Sequence, residues 1–585
     1  MPHREHLTSL RFASALNESC IKESYTPSRF KKDLLAGITV GIIAIPLSMA
    51  LAIASGAPPQ NGLYTAIFAG LIIAITGGSR LSVSGPTAAF IVILFPISQQ
   101  FGLGGLLVAS VMAGIMMIAM ALARLGRLIE YIPESVTLGF TAGIAVVITT
   151  LQMKDFFGLS MAEIPESYIG KISALINAAP SIDGASFLVA SLTFAMLILW
   201  PRLKTSLPPQ LPALLLGVAV SLVLNQFGQE VDTIGSRFTY TTADGTIGQG
   251  IPAVFPQWSW PWEASGPDGK PFILSWQTLQ ALLPFAFSIA MLGAIESLLC
   301  AVVLDGITGK RHNANGELLG QGIGNLVAPF FGGITATAAL ARSAANFRAG
   351  AQTPIASAVH ALFVLFGLVL FAKLLAYLPM PSMAALLVMV AWNMSESHKF
   401  VALCRKAPIG DITTLVICFS LTILFDMVVA ITFGTIIASL LFMRDISRMT
   451  KVSDISNSKK ISPKGLPANW AAFKVNGPLF FAAADRVFSE LDALSYGKEG
   501  VILYLDAVPI MDAGGLSAMN KYIDQCIKTK VRLLISDLQF QPLKTVARAK
   551  IEPVENYFSF TPTLEEALIR AHKPIQPVLK TDFVT

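Results

Sequence analysis

With 54% of its 585 residues hydrophobic and only 13% charged, the chain has too little polar surface to be water-soluble throughout. Its net charge of +6 is spread over short connections between apolar runs rather than gathered in one basic stripe, which excludes a nucleic-acid partner and points to membrane topology. Five scattered cysteines, Cys20, Cys300, Cys404, Cys418 and Cys526, with no C-x-x-C pair, give neither a disulfide framework nor a zinc site.

Residues 1–32 form a polar N-terminal segment, and the first apolar run begins near Asp33. That run is too long for a signal-peptide core and has no small-residue cleavage site behind it, so it reads as a retained span. A bilayer core of about 30 Å needs roughly 20 apolar residues per helix, and this ruler predicts about 14 spans in a transport domain over residues 33–446, several of them short. Loops carrying Lys31, Lys32, Arg80, Arg124, Arg127, Arg202, Lys204, Lys310, Arg311, Lys399, Arg405 and Lys406 alternate with loops poor in Lys and Arg. The positive-inside rule then predicts a multi-pass inner-membrane protein with both termini in the cytoplasm.

In chain order, Gly77-Gly78 closes one apolar run and precedes SVSGPTAAFIVILFPIS (residues 82–98). Small hydroxyl residues, Gly85 and then Pro86 at a tolerated first helical position predict a helix start there. From residue 86 to 98 such a helix rises only about 20 Å, so its N-terminus should lie inside the membrane. Residues 164–179 are amphipathic and too polar to span, which predicts an interfacial helix. The Gly/Pro-rich insertion 226–276 carries Trp258, Trp260 and Trp262 and reads as an external loop with an aromatic anchor.

In AMLGAIESLLCAVVLDG (residues 290–306), Glu296 stands alone mid-span. A carboxylate there must be paired, metal-bound or protonated. One reading makes it a proton-coupling group; the other makes it a permanent partner of Arg342 or of a neighbouring helix. Asp33, Asp305 and Glu317 fall at span ends, where solvated or capping roles are normal.

GGITATAALARSAANFRAG (residues 332–350) repeats the first irregular segment, with Thr335 and Thr337 ahead of a short Ala-rich helix. Paired irregular segments in the two halves are the trace of an internal repeat, and seven spans per half, an odd number, invert the second half. Two helix N-termini would then converge near the midplane, each with unpaired N–H groups and about +0.5 charge, which suits an anion. Arg342, one turn in, adds a permanent charge and a bidentate fork. The bland alternative, close packing of small residues, leaves an intramembrane Arg without a purpose. Arg348 reads as snorkelling to the interface; His360 and Asp426 read as structural.

Residues 447–467 are rich in Ser and Lys and read as a linker. Apolar runs at 501–508 and 531–538 and helical patterns at 515–528 and 563–571 predict a small α/β domain over 468–575, before a tail at 576–585.

The runs GITVGIIAIPLSMALAI, GGSRLSVSGPTAAF, AMLGAIESLLCAVVLDG, APFFGGITATAALARSAANFRAGAQTPI and LLVMVAWNMSE closely resemble the SulP anion-permease family, and within it an aerobic C4-dicarboxylate transporter. The likeness covers nearly the whole chain. It implies a polytopic α-helical fold of seven plus seven inverted segments with core and gate domains, a C-terminal STAS domain, a bacterial inner-membrane location and a homodimer. In that family the anion sits between the N-termini of the third and tenth spans, which carries over to Thr87 and Ala88 and to Ala341, Arg342 and Ser343. The acidic position that helps hold sodium in some bicarbonate-transporting members matches Glu296, but their hydroxyl residue one turn later is Cys300 here, which leaves protons as the better coupling ion. VPIMDAGGLSAM resembles the STAS signature, with Asp512, Ala513, Gly514 and Gly515 at its turn and no phosphorylatable Ser, so the domain reads as a docking or assembly module, with a cytoplasmic protein as a candidate partner.

The expected function is therefore proton-coupled uptake of a C4-dicarboxylate such as succinate, fumarate or aspartate. A bicarbonate or sulfate permease or exchanger is the alternative, and a membrane sensor signalling through the STAS domain stands further off. No P-loop, nucleophile elbow, metal-ligand cluster or dinucleotide fingerprint occurs, so no enzyme activity, metal or cofactor is expected and the energy should come from ion gradients.

Overall fold

The computed structural model of the chain describes residues 9–126, 132–161, 165, 167–205, 207–241, 247–425, 427–458 and 465–573; Arg127, Asp426 and the tail 576–585 lie outside them. Two units divide the chain, Met1–Thr435 and Ile436–Thr585.

The first unit is helical, because a backbone that faces lipid must pair its own N–H and C=O groups. Helix α1 (Pro27–Ala54) opens with Pro27 at its first position, where Thr26 Oγ1 accepts from Arg29 N at 3.4 Å. The polar segment before it is folded back: Ala13 N donates to Thr76 O at 3.1 Å, and Glu23 takes Arg80 at 2.6 Å and Lys310 at 3.1 Å. The Arg80 hydrogen bond and the Lys310 ammonium hold the Glu23 carboxyl below the usual carboxylate range.

Helix α2 (Pro59–Thr76) leads to a two-residue strand β1 (Ser84–Gly85), then a 3₁₀ turn (Ala88–Phe90) and α3 (Ile91–Leu122). Gly102 breaks α3 with φ 69°, and a Cβ there would strike the backbone of Gly266, so only glycine fits the kink. The kink cuts α3 into a short first segment, too short to cross a bilayer by itself, and a longer second one. Helices α4 (Glu134–Phe157), α5 (Tyr168–Ala178), α6 (Gly184–Leu199) and α7 (Gln210–Gln226) complete the first half.

The second half runs through α8 (Trp276–Thr308), α9 (Ala314–Val327), strand β2 (Thr337–Ala338) and α10 (Leu340–Arg348). It continues with α11 (Ile355–Leu375), α12 (Met380–Met394), α13 (Ser397–Lys406), α14 (Ile409–Leu424) and α15 (Met427–Met449). Among the described residues, eight helices are long and apolar enough to cross a bilayer. Adding the shorter ones gives seven segments on each side of the insertion. The amphipathic α5 and α13, neither with a buried residue, fall at the same place in each half, between its fifth and sixth segments. Helix α13 was concealed in sequence among the basic residues Lys399, Arg405 and Lys406.

Helices α1, α2, α3, α8, α9, α10 and α11 pack on one another as a core, while α4, α6, α7, α12 and α14 form a second bundle, the gate. Small residues let core backbones approach closely. A Cβ on Gly37 of α1 would lie 2.5 Å from Ala356 O of α11, and one on Gly114 of α3 would lie 2.6 Å from Leu326 N of α9.

In the second unit a five-stranded sheet has the order β3 (Lys451–Asp454), β4 (Trp470–Asn476), β5 (Gly500–Ala507), β6 (Arg532–Ser536), β7 (Phe558–Thr561). The first pair is antiparallel and the others are parallel. Helices α16 (Phe481–Ser495), α17 (Ala513–Lys528) and α18 (Phe540–Arg548) join the parallel strands, and α19 (Leu564–Ala571) follows β7. Asp512 caps α17, accepting from Gly515 N at 2.8 Å, and its other oxygen accepts from Phe481 N at 3.1 Å. The stretch 447–467 differs from a plain linker, since it holds the end of α15 and the edge strand β3. Its Ser and Lys residues are what an exposed edge strand carries, and that composition masked the strand.

Candidate anion-binding site

The leads into the two half-helices meet across the core. Strands β1 and β2 pair antiparallel, Ser84 opposite Ala338 and Gly85 opposite Thr337. Ala339 N donates to Val83 O at 3.0 Å, and Val83 N donates to Ser343 Oγ at 2.9 Å. This pairing keeps Ser84 and Gly85 extended, and the first helix coils from Ala88 rather than from Pro86 as the sequence predicts. Thr87 and Ala339, both extended, precede the helical turns, and neither start has a side-chain cap. Uncapped N-termini present unpaired N–H groups and partial positive charge.

Arg342 is 3% exposed and reaches back across the strand pair, where Nη2 donates to Pro86 O. Its Nε and Nη1 are buried without a hydrogen-bond partner. A Cβ on Gly85 would lie 2.8 Å from Nη1, so the missing side chain of Gly85 makes room for the guanidinium. Among the described residues no ion pair joins Arg342 to Glu296.

Glu296 on α8 is partly buried and accepts from Thr87 Oγ1 at 2.9 Å. Thr87, Ala88, Ser343 and Arg342 are buried together, while Ala341 at the start of α10 is exposed. The turn Ala88–Phe90 also touches gate helices α4 and α12, so the first half-helix starts at the core–gate boundary. Cys300, one turn beyond Glu296, is 1% exposed. His360 is 1% exposed on α11 with both ring nitrogens unpaired.

Several residues that hold these leads escaped the sequence. Asp33 and Glu317, read as span-end residues, are 0% and 1% exposed. Asp33 accepts from Gln352 N at 2.7 Å, Thr353 N at 3.2 Å and Thr353 Oγ1 at 2.6 Å, fixing the exit from α10. Asn325 grips Ala336 from both sides, its Oδ1 accepting at 2.7 Å and its Nδ2 donating at 2.8 Å. In the insertion, Trp258 stacks on Phe330 at 4.7 Å, and Ser259 N donates to Phe330 O at 2.8 Å, so the aromatic loop covers the core end that precedes Gly332.

Residues 30–419 match the sulfate permease family and residues 465–567 match the STAS domain. The chain belongs to the sulfate permease family. YvdB of Bacillus subtilis (strain 168), named as a candidate sulfate transporter, is 36% identical to this permease over 521 residues, covering 89% of the permease and 94% of YvdB. The bicarbonate transporter BicA of Picosynechococcus sp. is 26% identical over 540 residues, covering 89% and 90%. The transmembrane domain of a cyanobacterial BicA superposes with a TM-score of 0.58 at 28% identity, over 71% of the permease and 98% of that chain. Murine Solute Carrier 26 family member A9, at 18% identity, shares the fold with a TM-score of 0.80 over 95% and 94%. The permease is thus a multi-pass membrane protein of an anion-transporter family, with a STAS domain at its C-terminal end.

Proposed function

We propose that the chain is a proton-coupled secondary transporter of small anions, with the substrate held between Thr87 and Ala88 on one side and Ala341, Arg342 and Ser343 on the other. The observation that carries this reading is Arg342, a buried guanidinium with two unpaired nitrogens beside two uncapped helix starts. A carboxylate or oxyanion supplies the acceptors that such donors require. Glu296 is the coupling group, because its carboxyl shares a hydrogen bond with Thr87 at the same place.

As substrate we propose a C4-dicarboxylate such as succinate, fumarate or aspartate, on the strength of the sequence resemblance. Bicarbonate or sulfate is the second reading, favoured by the names of the relatives. The distribution of Lys and Arg supports a bacterial inner-membrane setting with both termini cytoplasmic. The family likeness supports a homodimer and a STAS domain that docks a cytoplasmic protein.

Proteoliposomes with an imposed pH gradient, acidic outside, test the proposal. Labelled succinate should accumulate and be displaced by fumarate and aspartate. Accumulation of bicarbonate or sulfate but not succinate would transfer the assignment to the second reading, and binding without flux would make the protein a sensor. Gly85→Ala adds a finer check, since its Cβ would lie 2.8 Å from Arg342 Nη1 and force the guanidinium to shift. Anion affinity should fall roughly tenfold or more, the size of one charge-assisted hydrogen bond, while insertion is unchanged; wild-type affinity would count against Arg342 as a ligand.

A further inference from the structure

Backbone that leaves a helix inside a membrane must find other partners for its polar groups. In this chain those partners come from the opposite half. On α2, Asn61 and Thr65 are one turn apart; Asn61 Nδ2 donates to Gly332 O at 2.6 Å, and the Thr65 hydroxyl shares its one proton between Asn61 O of its own helix at 2.7 Å and Ile334 O at 3.1 Å. On α9, Glu317 and Gln321 are likewise one turn apart. Glu317 Oε2 accepts from Gly78 N at 3.0 Å and Ser79 N at 2.9 Å, and Gln321 Nε2 donates to Ser84 Oγ at 2.9 Å and to Glu317 Oε1 at 3.0 Å.

Thus the second segment of each half uses an i, i+4 polar pair to hold the lead into the other half's half-helix. The two pairs differ in polarity: Asn61 and Thr65 donate to carbonyls, whereas Glu317 accepts from N–H groups and Gln321 donates to the Ser84 hydroxyl. The leads they hold end at Thr87 and at Ala339, where the helix starts face the candidate site.

We propose that Asn61–Thr65 and Glu317–Gln321 are paired positioning clamps that set the spacing of the two half-helix N-termini, and with it the affinity for the anion. The inference rests on the site proposed above. The clamp residues act through backbone, so they differ from residues that touch substrate. Polar groups serving stability alone would change the amount and thermal stability of the protein while leaving the affinity of the folded fraction alone. Clamps that place N–H groups change KM first.

The test measures KM and maximal rate for labelled succinate, bicarbonate and sulfate in proteoliposomes, with thermal stability followed in detergent. Thr65→Val, which keeps the shape and loses one hydrogen bond, should raise KM about fivefold with maximal rate nearly unchanged, and Thr65→Ser should restore it. Glu317→Gln sets its amide against the Gln321 amide and should raise KM by a similar or larger factor. Adding Gln321→Glu re-creates a carboxylate–amide pair in reversed order and should recover most of the loss. If Glu317→Gln does not insert, the Thr65 series decides alone. Wild-type KM in Thr65→Val and Glu317→Gln, beside lost binding in Arg342→Ala, overturns the clamps and spares the site. Normal binding in Arg342→Ala removes the site and the clamps together.

Discussion

Arg342→Ala should abolish substrate binding in a protein that still inserts and folds. The half-helix starts supply only partial charges, about half a unit each, to an anion that has given up its water. The guanidinium supplies a whole charge and directed donors, and two of its nitrogens are buried without partners in the protein. Removing a hydrogen-bonded charged partner from a buried site costs about 2–5 kcal/mol, which is between roughly thirtyfold and several thousandfold in affinity. Arg342→Lys should recover little, because an ammonium has no planar fork and could not hold the Pro86 carbonyl and an anion in one plane. Equilibrium binding in detergent, with insertion checked by size exclusion, measures both variants. Near-normal affinity in the Ala variant would move the site elsewhere.

Glu296→Gln should separate transport from the proton gradient while binding persists. Gln has nearly the shape of a protonated Glu, and its carbonyl can accept from Thr87 Oγ1 as Glu296 Oε2 does at 2.9 Å. If the proton-loaded form is the one that binds the anion, wild-type affinity rises as pH falls, and the variant, fixed in a proton-loaded mimic, shows a flat profile. The physical basis is reciprocity: an anion that prefers the protonated site draws a proton on with it, and the two couplings are one free energy. An imposed pH gradient should then drive no accumulation, whereas exchange of labelled for unlabelled substrate continues. Accumulation by the variant at the wild-type level would make Glu296 structural and move the coupling proton to Asp426 or His360.

Arg342 and Glu296 were legible in the sequence because an ionisable residue inside an apolar run has no bland explanation and is costly to keep. The half-helices were legible for a similar reason: Gly-Gly and hydroxyl residues interrupt runs that otherwise span. The pairing of Ser84–Gly85 with Thr337–Ala338 was not, since two-residue strands carry no periodicity and their partner lies in the other half of the chain. For Asp33 and Glu317 the sequence left solvated and capping roles open; both are buried and accept from backbone N–H groups, but the groups they hold lie more than two hundred residues away, at Gln352 and Gly78, and could not be named from sequence. Asn61 and Asn325 gave no signal for the same reason. In the second unit, the buried parallel strands declared themselves as unbroken apolar runs, whereas the edge strand Lys451–Asp454 has the composition of a loop.

The strand pair between the halves also sets a condition on how the protein is made. Val83 N and Ser343 Oγ, which share a hydrogen bond in the finished fold, are 260 residues apart. At about 5–20 residues per second, a ribosome takes about 13–50 s to deliver the second partner after the first has left it. During that interval the first half sits in or beside the bilayer with the backbone of Gly78, Ser79 and Val83 unmatched, a condition hydrocarbon does not tolerate. The nascent first half must therefore wait in a wet place, at the insertion machinery or near the interface, until α9 and α10 emerge to close the seam.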